Sequence, residues 1–431
     1  MERSEPAADV IPPQAQSRLL RFLGPGLITG ASDDDPSGIA TYSQAGAQFG
    51  LALGWTMFLT WPLMVSIQLI SARIGRTTGH GIAGNLRRHC PKWLLLCIVS
   101  LLLAANTVNI GANLGAMADA TRLVFGGPAL LYLFVFATIC AAVPVWTSYR
   151  HYVAVLRWMT LALLAYIVTL FAVDVPWREA AYRILVPTVA WSRDYLMMIV
   201  AVFGTTISPY LFFWQASEEA EDVSETPHRA PLKQTPGQGP AALERIRFDT
   251  MGGMAASNIV GLAIILTAAS TLRPNGITDV ETSAQAAEAL RPLAGSFAST
   301  LFALGIVGTG LLAVPVLAGS AAYALGEALH WRTGLTHKPK NAKAFYGAIV
   351  IATIVGAILN ATPVNPMKAL VWTAVINGIV AVPVMGIMMY LASRRDILGP
   401  FAVAGILKWL GWLTTTMMAA AVVAMMMAGF A

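Results

Sequence analysis

Two short polar segments carry residues able to bind a cation, and each interrupts a stretch otherwise apolar enough to cross a bilayer. The first is Asp33-Asp34-Asp35-Pro36-Ser37-Gly38; the second is Gly204-Thr205-Thr206-Ile207-Ser208-Pro209-Tyr210. Carboxylates at membrane depth are costly unless they face an interior cavity and meet positive charge. A proline deletes one helical hydrogen bond and frees a carbonyl one turn earlier. Irregular backbone at that depth is tolerated only within protein or beside a water-filled cavity. Carboxylates and freed carbonyls are the oxygen ligands that hard divalent ions require. Two broken helices in corresponding places of a chain point to a transporter's binding site. Together these features imply cation transport.

Asp35 is the main expected ligand, because Pro36 biases it away from helical geometry and ends the first half-helix there. Ser37 and Gly38 open the second half-helix, where Ser is a natural cap and Gly lets a ligand approach the backbone. Asp33 and Asp34 are expected on a vestibule wall. A structural reading, in which these carboxylates are paired or cap a helix, stands beside the ligand reading. In the second segment Pro209 frees a carbonyl near Thr205, the second expected ligand, and Ser208 and Tyr210 offer hydroxyls to the same point. Gln215, Glu218, Glu219 and Asp222 follow at helical spacing on one face. They form either an acidic vestibule stripe or a solvated helix end. Asn377, in a late span, is a further vestibule candidate.

Histidine is informative by where it is missing. His80, His89, His151, His228, His330 and His337 all fall in loops or at span ends. Proton relays through membranes use buried Asp, Glu or His chains, and the third span offers only Asn106, Asn109 and Asn113, with Asp119 near its outer end. Cys90, Cys97 and Cys140 show no CxxC spacing, so neither a disulfide framework nor a zinc site is expected. No nucleophile–base pair stands out, and no enzyme is expected.

The elements that must position these residues are membrane helices. The chain is 56% hydrophobic and 12% charged, against about 25% charged for soluble domains. Apolar runs of bilayer length give eleven candidates: 22–48 (broken), 52–74, 93–119, 128–147, 152–173, 195–217 (broken), 250–271, 296–323, 344–362, 367–393 and 403–430. With the N-terminus inside, 21 of the 28 Lys and Arg fall on the cytoplasmic side. That bias predicts a cell (inner) membrane protein with a cytoplasmic N-terminus and an extracytoplasmic C-terminus. The basic balance is thus a topology signal, and no nucleic-acid partner is expected. Residues 1–18 are polar and lack the apolar core of a cleavable signal. The expected organisation is one transmembrane domain: repeat one over 20–175, repeat two over 193–395, and an extra helix over 403–430. Five spans per repeat force the second into inverted orientation, so the broken first helices meet at the midplane. The polar, Pro-containing stretch 223–247 reads as a flexible loop between halves, and 281–290 as a short surface helix. A monomer is sufficient for this plan, and the oligomeric state is left open.

At these residues the chain resembles the Nramp family of divalent-metal transporters. The resemblance is carried by Gly24-Pro25-Gly26, Asp35-Pro36-Ser37-Gly38, Gln44-Ala45-Gly46-Ala47, Arg73-Ile74-Gly75, Thr78-Gly79 and Ala83, and resumes from Gly204 to Pro209. It implies the leucine-transporter type of fold, with metal bound between broken helices one and six. The family's Asp-Pro-Gly-Asn falls on Asp35 to Gly38, so the metal-binding Asp is kept and the Asn ligand is Gly38. The family's Met ligand falls on Ser208 and the adjacent His on Tyr210. Its span-three acids fall on Asn109 and Ala112, and a second His on Gln215.

These departures change the expected chemistry. A thioether favours softer ions over magnesium or calcium, and Ser208 lacks that filter. Magnesium dehydrates reluctantly and binds through one or two carboxylates while keeping several waters. The pattern is similar to that of the Nramp-related magnesium transporters, which implies hydrated Mg2+ (with Mn2+ as a second cargo) carried without proton coupling. The cargo is the only metal expected and no cofactor is implied. The competing expectations are a proton-coupled Mn2+/Fe2+ symporter, a sodium-coupled solute transporter on the same fold, and a membrane-anchored sensor.

Overall fold

A computed structural model describes residues 25–146, 161–360 and 365–429, and among them every regular element is helical. The first span is two helices, α1 (Pro25–Asp33) and α2 (Pro36–Phe49). Next come α3 (Gly54–Thr78), α4 (Ile82–His89), α5 (Lys92–Phe125), α6 (Ala129–Trp146), α7 (Leu164–Thr169) and α8 (Trp177–Leu185). The sixth span is again split, into α9 (Arg193–Thr206) and α10 (Pro209–Glu225). The remainder are α11 (Gly239–Thr271), α12 (Ala298–Leu329), α13 (Lys343–Leu359), α14 (Pro366–Ser393) and α15 (Gly405–Ala428).

Among the described residues, eight helical stretches are long and apolar enough to cross a bilayer. One runs continuously from Pro36 to Thr78, because a 3-10 turn over Gly50–Leu53 joins α2 to α3. α13, at 17 residues, is shorter. The first part of the expected fifth span, 152–160, lies outside the described residues, as do 22–24, 147, 361, 362 and 430 of other expected spans, and the rest of the fifth span is a 3-10 turn over Leu161–Leu163 followed by α7. Large apolar side chains face outward along the bundle, including Phe134 on α6, Trp372 on α14 and Ile406 and Met427 on α15. Water would penalise such a surface and lipid does not.

Two expectations change. α11 begins at Gly239, well before residue 250, since its first turns carry charge and escape a hydropathy count. The connection expected over 223–247 is therefore 226–238, it joins α10 to α11 inside the stretch assigned to repeat two, and it is not a free linker. Arg76, almost fully buried, donates from Nη1 to Ala230 O (2.6 Å) and from Nη2 to Gln238 Oε1 (2.8 Å). The Leu232 and Lys233 N–H groups donate to the carbonyls of Arg76 and Thr77, each at 3.2 Å. The expected surface helix is present as Ser283–Ala287 with a 3-10 extension over Glu288–Leu290, opened by a Thr282–Gln285 capping box. α4 and α8 were not foreseen, being short and amphipathic.

The broken helices cross at the centre of the bundle. α1 packs on α10 and α2 on α9, while α11 supports both α1 and α2 and α14 supports α9. Small residues allow this approach. A Cβ on Gly204 would lie 2.1 Å from Ala374 O and 2.4 Å from Gly378 N, so α9 and α14 touch through backbone there. A Cβ on Gly30 would fall 2.3 Å from the Gly253 carbonyl carbon, which brings α1 equally close to α11.

Candidate functional site

Asp35 sits between α1 and α2 in extended geometry (φ −71°, ψ 168°), as the following proline dictates. Its Oδ1 accepts from Gly38 N–H at 2.8 Å, making it the N-cap of α2. Its Oδ2 lies 3.4 Å from Asn113 Nδ2 on α5, and Asn113 also reaches Asn109 Oδ1 at 3.4 Å. The cap reading and the ligand reading are therefore compatible: one oxygen holds the helix and the other faces the amides. Asp35 is 2% exposed.

Each proline frees one carbonyl, and each freed carbonyl is met by a hydroxyl. Pro36 leaves Ser32 O without a helical donor, and Tyr210 Oη donates to it at 2.9 Å across from α10. Pro209 leaves Thr205 O free, and Ser208 Oγ lies 2.9 Å from it and 2.7 Å from Gly204 O. Ser208 therefore turns back onto its own break and makes no cap bond to α10. Thr205 completes the crossing: its Oγ1 lies 3.3 Å from where a Gly38 Cβ would stand. Ser37 Oγ ties α2 to α14 through Leu370 O (2.9 Å) and Thr373 Oγ1 (3.2 Å).

Asp33 and Asp34 converge on one residue that the sequence reading missed. Ser257 Oγ on α11 is 2.6 Å from Asp33 Oδ2 and 2.9 Å from Asp34 Oδ1. The available signal was the polar pair Ser257-Asn258 within an apolar run, which carries no spacing clue linking it to the first span. Asp33 is fully buried and Asp34 is 7% exposed. Among the described residues no Lys, Arg or His is ion-paired with Asp33, Asp34 or Asp35.

The residues beyond the second break separate into two groups. Gln215 Nε2 donates to Thr250 Oγ1 (2.9 Å), and Glu219 accepts from Arg245 at 2.5 Å, both toward α11. Asp222 pairs with Arg229 and lies 3.8 Å from Arg245. Glu218 faces α12 instead, 3.4 Å from Tyr323 Oη. Glu219 and Asp222 are thus neutralised by arginines, and the four do not form one open acidic stripe. Asn377 is buried on α14 beside Gly378, the residue packed on Gly204. Asp119 accepts from Ser283 at 2.6 Å, away from the crossing.

The crossing offers oxygen and amide groups rather than a preformed cage. Among the described residues no three His, Cys, Asp or Glu side chains converge as a metal cluster. Buried atoms left open include Asp33 Oδ1, Asn109 Nδ2 and Asn113 Oδ1. A separate polar cavity of ≈ 320 Å3 lies where α3, α4, α10 and α12 end, lined by His80, Arg87, Arg88, Glu221 and Tyr323 among others. It contains no residue of either break. Burial, then the Arg88 and Arg87 guanidiniums, hold the His80 imidazole below the ordinary histidine range.

The sequence and the fold have counterparts in known proteins. The chain is 25% identical over 409 residues to the divalent metal cation transporter MntH of Acidiphilium cryptum (strain JF-5), covering 90% of this chain and 86% of that one. Its fold matches the crystal structure of the Eremococcus coleocola manganese transporter with a TM-score of 0.70 at 16% identity, over 96% of this chain and 88% of that one. It also matches Mhp1, a nucleobase-cation-symport-1 family transporter, with a TM-score of 0.56 at 17% identity, over 94% and 91%. The fold is the leucine-transporter type expected for two broken helices in an all-α membrane protein. A family model described as natural resistance-associated macrophage protein-like matches residues 26–428, and the chain belongs to the Nramp family.

Proposed function

We propose that this chain is a transporter of divalent metal cations that carries hydrated Mg2+ by alternating access without a coupled proton. One observation carries the reading: three buried carboxylates stand at the crossing of the broken helices with no cation paired to them among the described residues. Such charges are expensive at membrane depth, and a cationic cargo is the natural counter-charge. Asp35 is the central ligand, Thr205 and Gly38 form the opposing wall, and Asn377 with the α5 amides lines the path.

Magnesium is favoured by how the freed carbonyls are used. Ser208 and Tyr210 already occupy Thr205 O and Ser32 O, so few groups are left to replace a hydration shell. An ion that keeps its waters suits this site, and no thioether is present at Ser208 to prefer softer metals. Manganese, for which the structurally similar Eremococcus coleocola transporter is named, is the second reading, through proton-coupled symport. Amides at Asn109 and Asn113 beside Asp35 speak against that coupling. The halves act as inverted repeats over 20–175 and 193–395, with the N-terminus cytoplasmic.

The test is uptake by proteoliposomes. Wild type should accumulate Mg2+, and Asp35→Ala should abolish uptake in a monodisperse protein. Asp35→Asn keeps the shape, loses the charge and should fail nearly as badly. Wild-type rates in well-folded Asp35→Asn would remove Asp35 from the site.

A further inference from the structure

We propose that Asp33, Asp34 and Ser257 form a second cation site, distinct from Asp35, which holds the divalent ion at a separate step of its passage. The inference rests on the cation-transport reading above and adds a station to it. A serine hydroxyl has one proton to donate, yet Ser257 Oγ lies within hydrogen-bond distance of both carboxylates, at 2.6 and 2.9 Å. With both carboxyls ionised, one of the two contacts sets an oxygen lone pair against a carboxylate. A cation bridging the three oxygens removes that conflict.

Two further observations point the same way. Asp33 Oδ1 is buried and has no hydrogen-bond partner among the described residues. Independently, Tyr42 of α2 is 1% exposed and its hydroxyl also lacks a partner among them. The Tyr42 ring edge stands 2.9 Å from the Cβ position of Gly261, one turn along α11 from Ser257. Two carboxylates, two hydroxyls and water make an all-oxygen set of the kind magnesium and manganese accept. Two divalent ions so near each other would repel strongly, so Asp35 and the Asp33–Asp34 station are used in turn by a single ion.

Ser257 is the element that separates this station from a plain acidic patch. It belongs to α11, whereas the carboxylates belong to the end of α1, so relative movement of α1 and α11 opens or closes the station. The close Gly30–Gly253 contact fixes the spacing in the present arrangement.

The experiment is a Mn2+ titration of the purified full-length protein, followed by loss of the free-ion electron paramagnetic resonance signal and reversed by Mg2+. Wild type should bind one ion. Asp35→Ala should still bind one, more weakly, and the combination of Asp33→Asn, Asp34→Asn and Asp35→Ala should bind none. Ser257→Ala placed on Asp35→Ala should weaken the residual binding by roughly 10–100-fold, the usual effect of losing a supporting partner. Residual binding in Asp35→Ala that is indifferent to Asp33→Asn and Asp34→Asn would overturn the proposal. So would its complete loss in Asp35→Ala alone, including the case in which Asp33 and Asp34 hold only protons. Both of those outcomes leave the transport reading standing; absence of any Mn2+ or Mg2+ binding to wild type would sink the transport reading itself.

Discussion

Ser208→Ala isolates the feature by which this site departs most from a direct-coordination site. The hydroxyl of Ser208 lies 2.7 Å from Gly204 O and 2.9 Å from Thr205 O, in a fully buried break. Alanine removes that donor and leaves the backbone and neighbouring packing in place. A buried acceptor stripped of its partner costs about 1–3 kcal/mol, so the metal-free protein should lose that much stability. An ion able to shed a water and bind Thr205 O directly recovers part of this cost. Manganese sheds water more readily than magnesium, which holds its shell tightly. Recovery of about 1.4 kcal/mol corresponds to a tenfold gain in affinity. Calorimetric titration should therefore show Mn2+ affinity rising by up to about tenfold, with Mg2+ affinity changed far less. Thermal unfolding without metal should move down and be restored more by Mn2+ than by Mg2+. Equal shifts for both ions, or unchanged stability without metal, would refute the idea that Ser208 holds the freed carbonyl away from the ion.

Gly38→Asn combined with Ser208→Met should raise Cd2+ and Mn2+ binding relative to Mg2+, because the thioether favours softer ions while the amide adds one further oxygen ligand. The structure adds a condition: the new Cβ at 38 meets Thr205 Oγ1 at 3.3 Å, so Thr205 must shift by a few tenths of an ångström. Calorimetry showing no gain for Cd2+ in a folded double variant would remove these positions from the site. Arg245→Ala should destabilise the protein at the low end of the ~3–5 kcal/mol typical of a broken buried pair, since Glu219 is fully buried while Arg245 keeps partial exposure. Adding Glu219→Gln should restore most of the lost heat resistance, read as monodisperse fraction after a temperature step; no rescue would mean that Arg245 acts through packing.

Much of the fold was legible because bilayer thickness and backbone hydrogen bonding leave few alternatives. Proline alone was not the signal. Pro62, Pro144, Pro315 and Pro383 all lie inside continuous helices. Pro36 and Pro209 end helices because an Asp or Ser stands immediately before them in extended geometry and more polar residues flank the step. What escaped the sequence was set by contacts between distant segments. Ser257 meets Asp33 across 224 positions, and no local pattern announces that pairing. The acidic residues after the second break share a helical spacing, yet Arg245 and Arg229 take one edge and Tyr323 the other. The connection between α10 and α11 looked loose from its prolines, and a buried Arg76 holds it. Hydroxyls at 208 and 210 suggested ligands by type; geometry gives them a second task, satisfying the carbonyls that the prolines release.

The central claim is that the ion's own gradient and the membrane potential drive transport with no second ion. A divalent cation gains about 4.6 kcal/mol on entering across 100 mV, twice the ~2.3 kcal/mol of a single charge. That permits over a thousandfold accumulation, at ~1.4 kcal/mol per tenfold. The most direct measurement is internal pH, recorded by an entrapped dye, during Mg2+ uptake into proteoliposomes clamped at a negative potential. The account predicts Mg2+ accumulation that grows with potential while internal pH stays flat at every Mg2+ dose. Acidification that scales with Mg2+ and disappears in Asp35→Asn would contradict it.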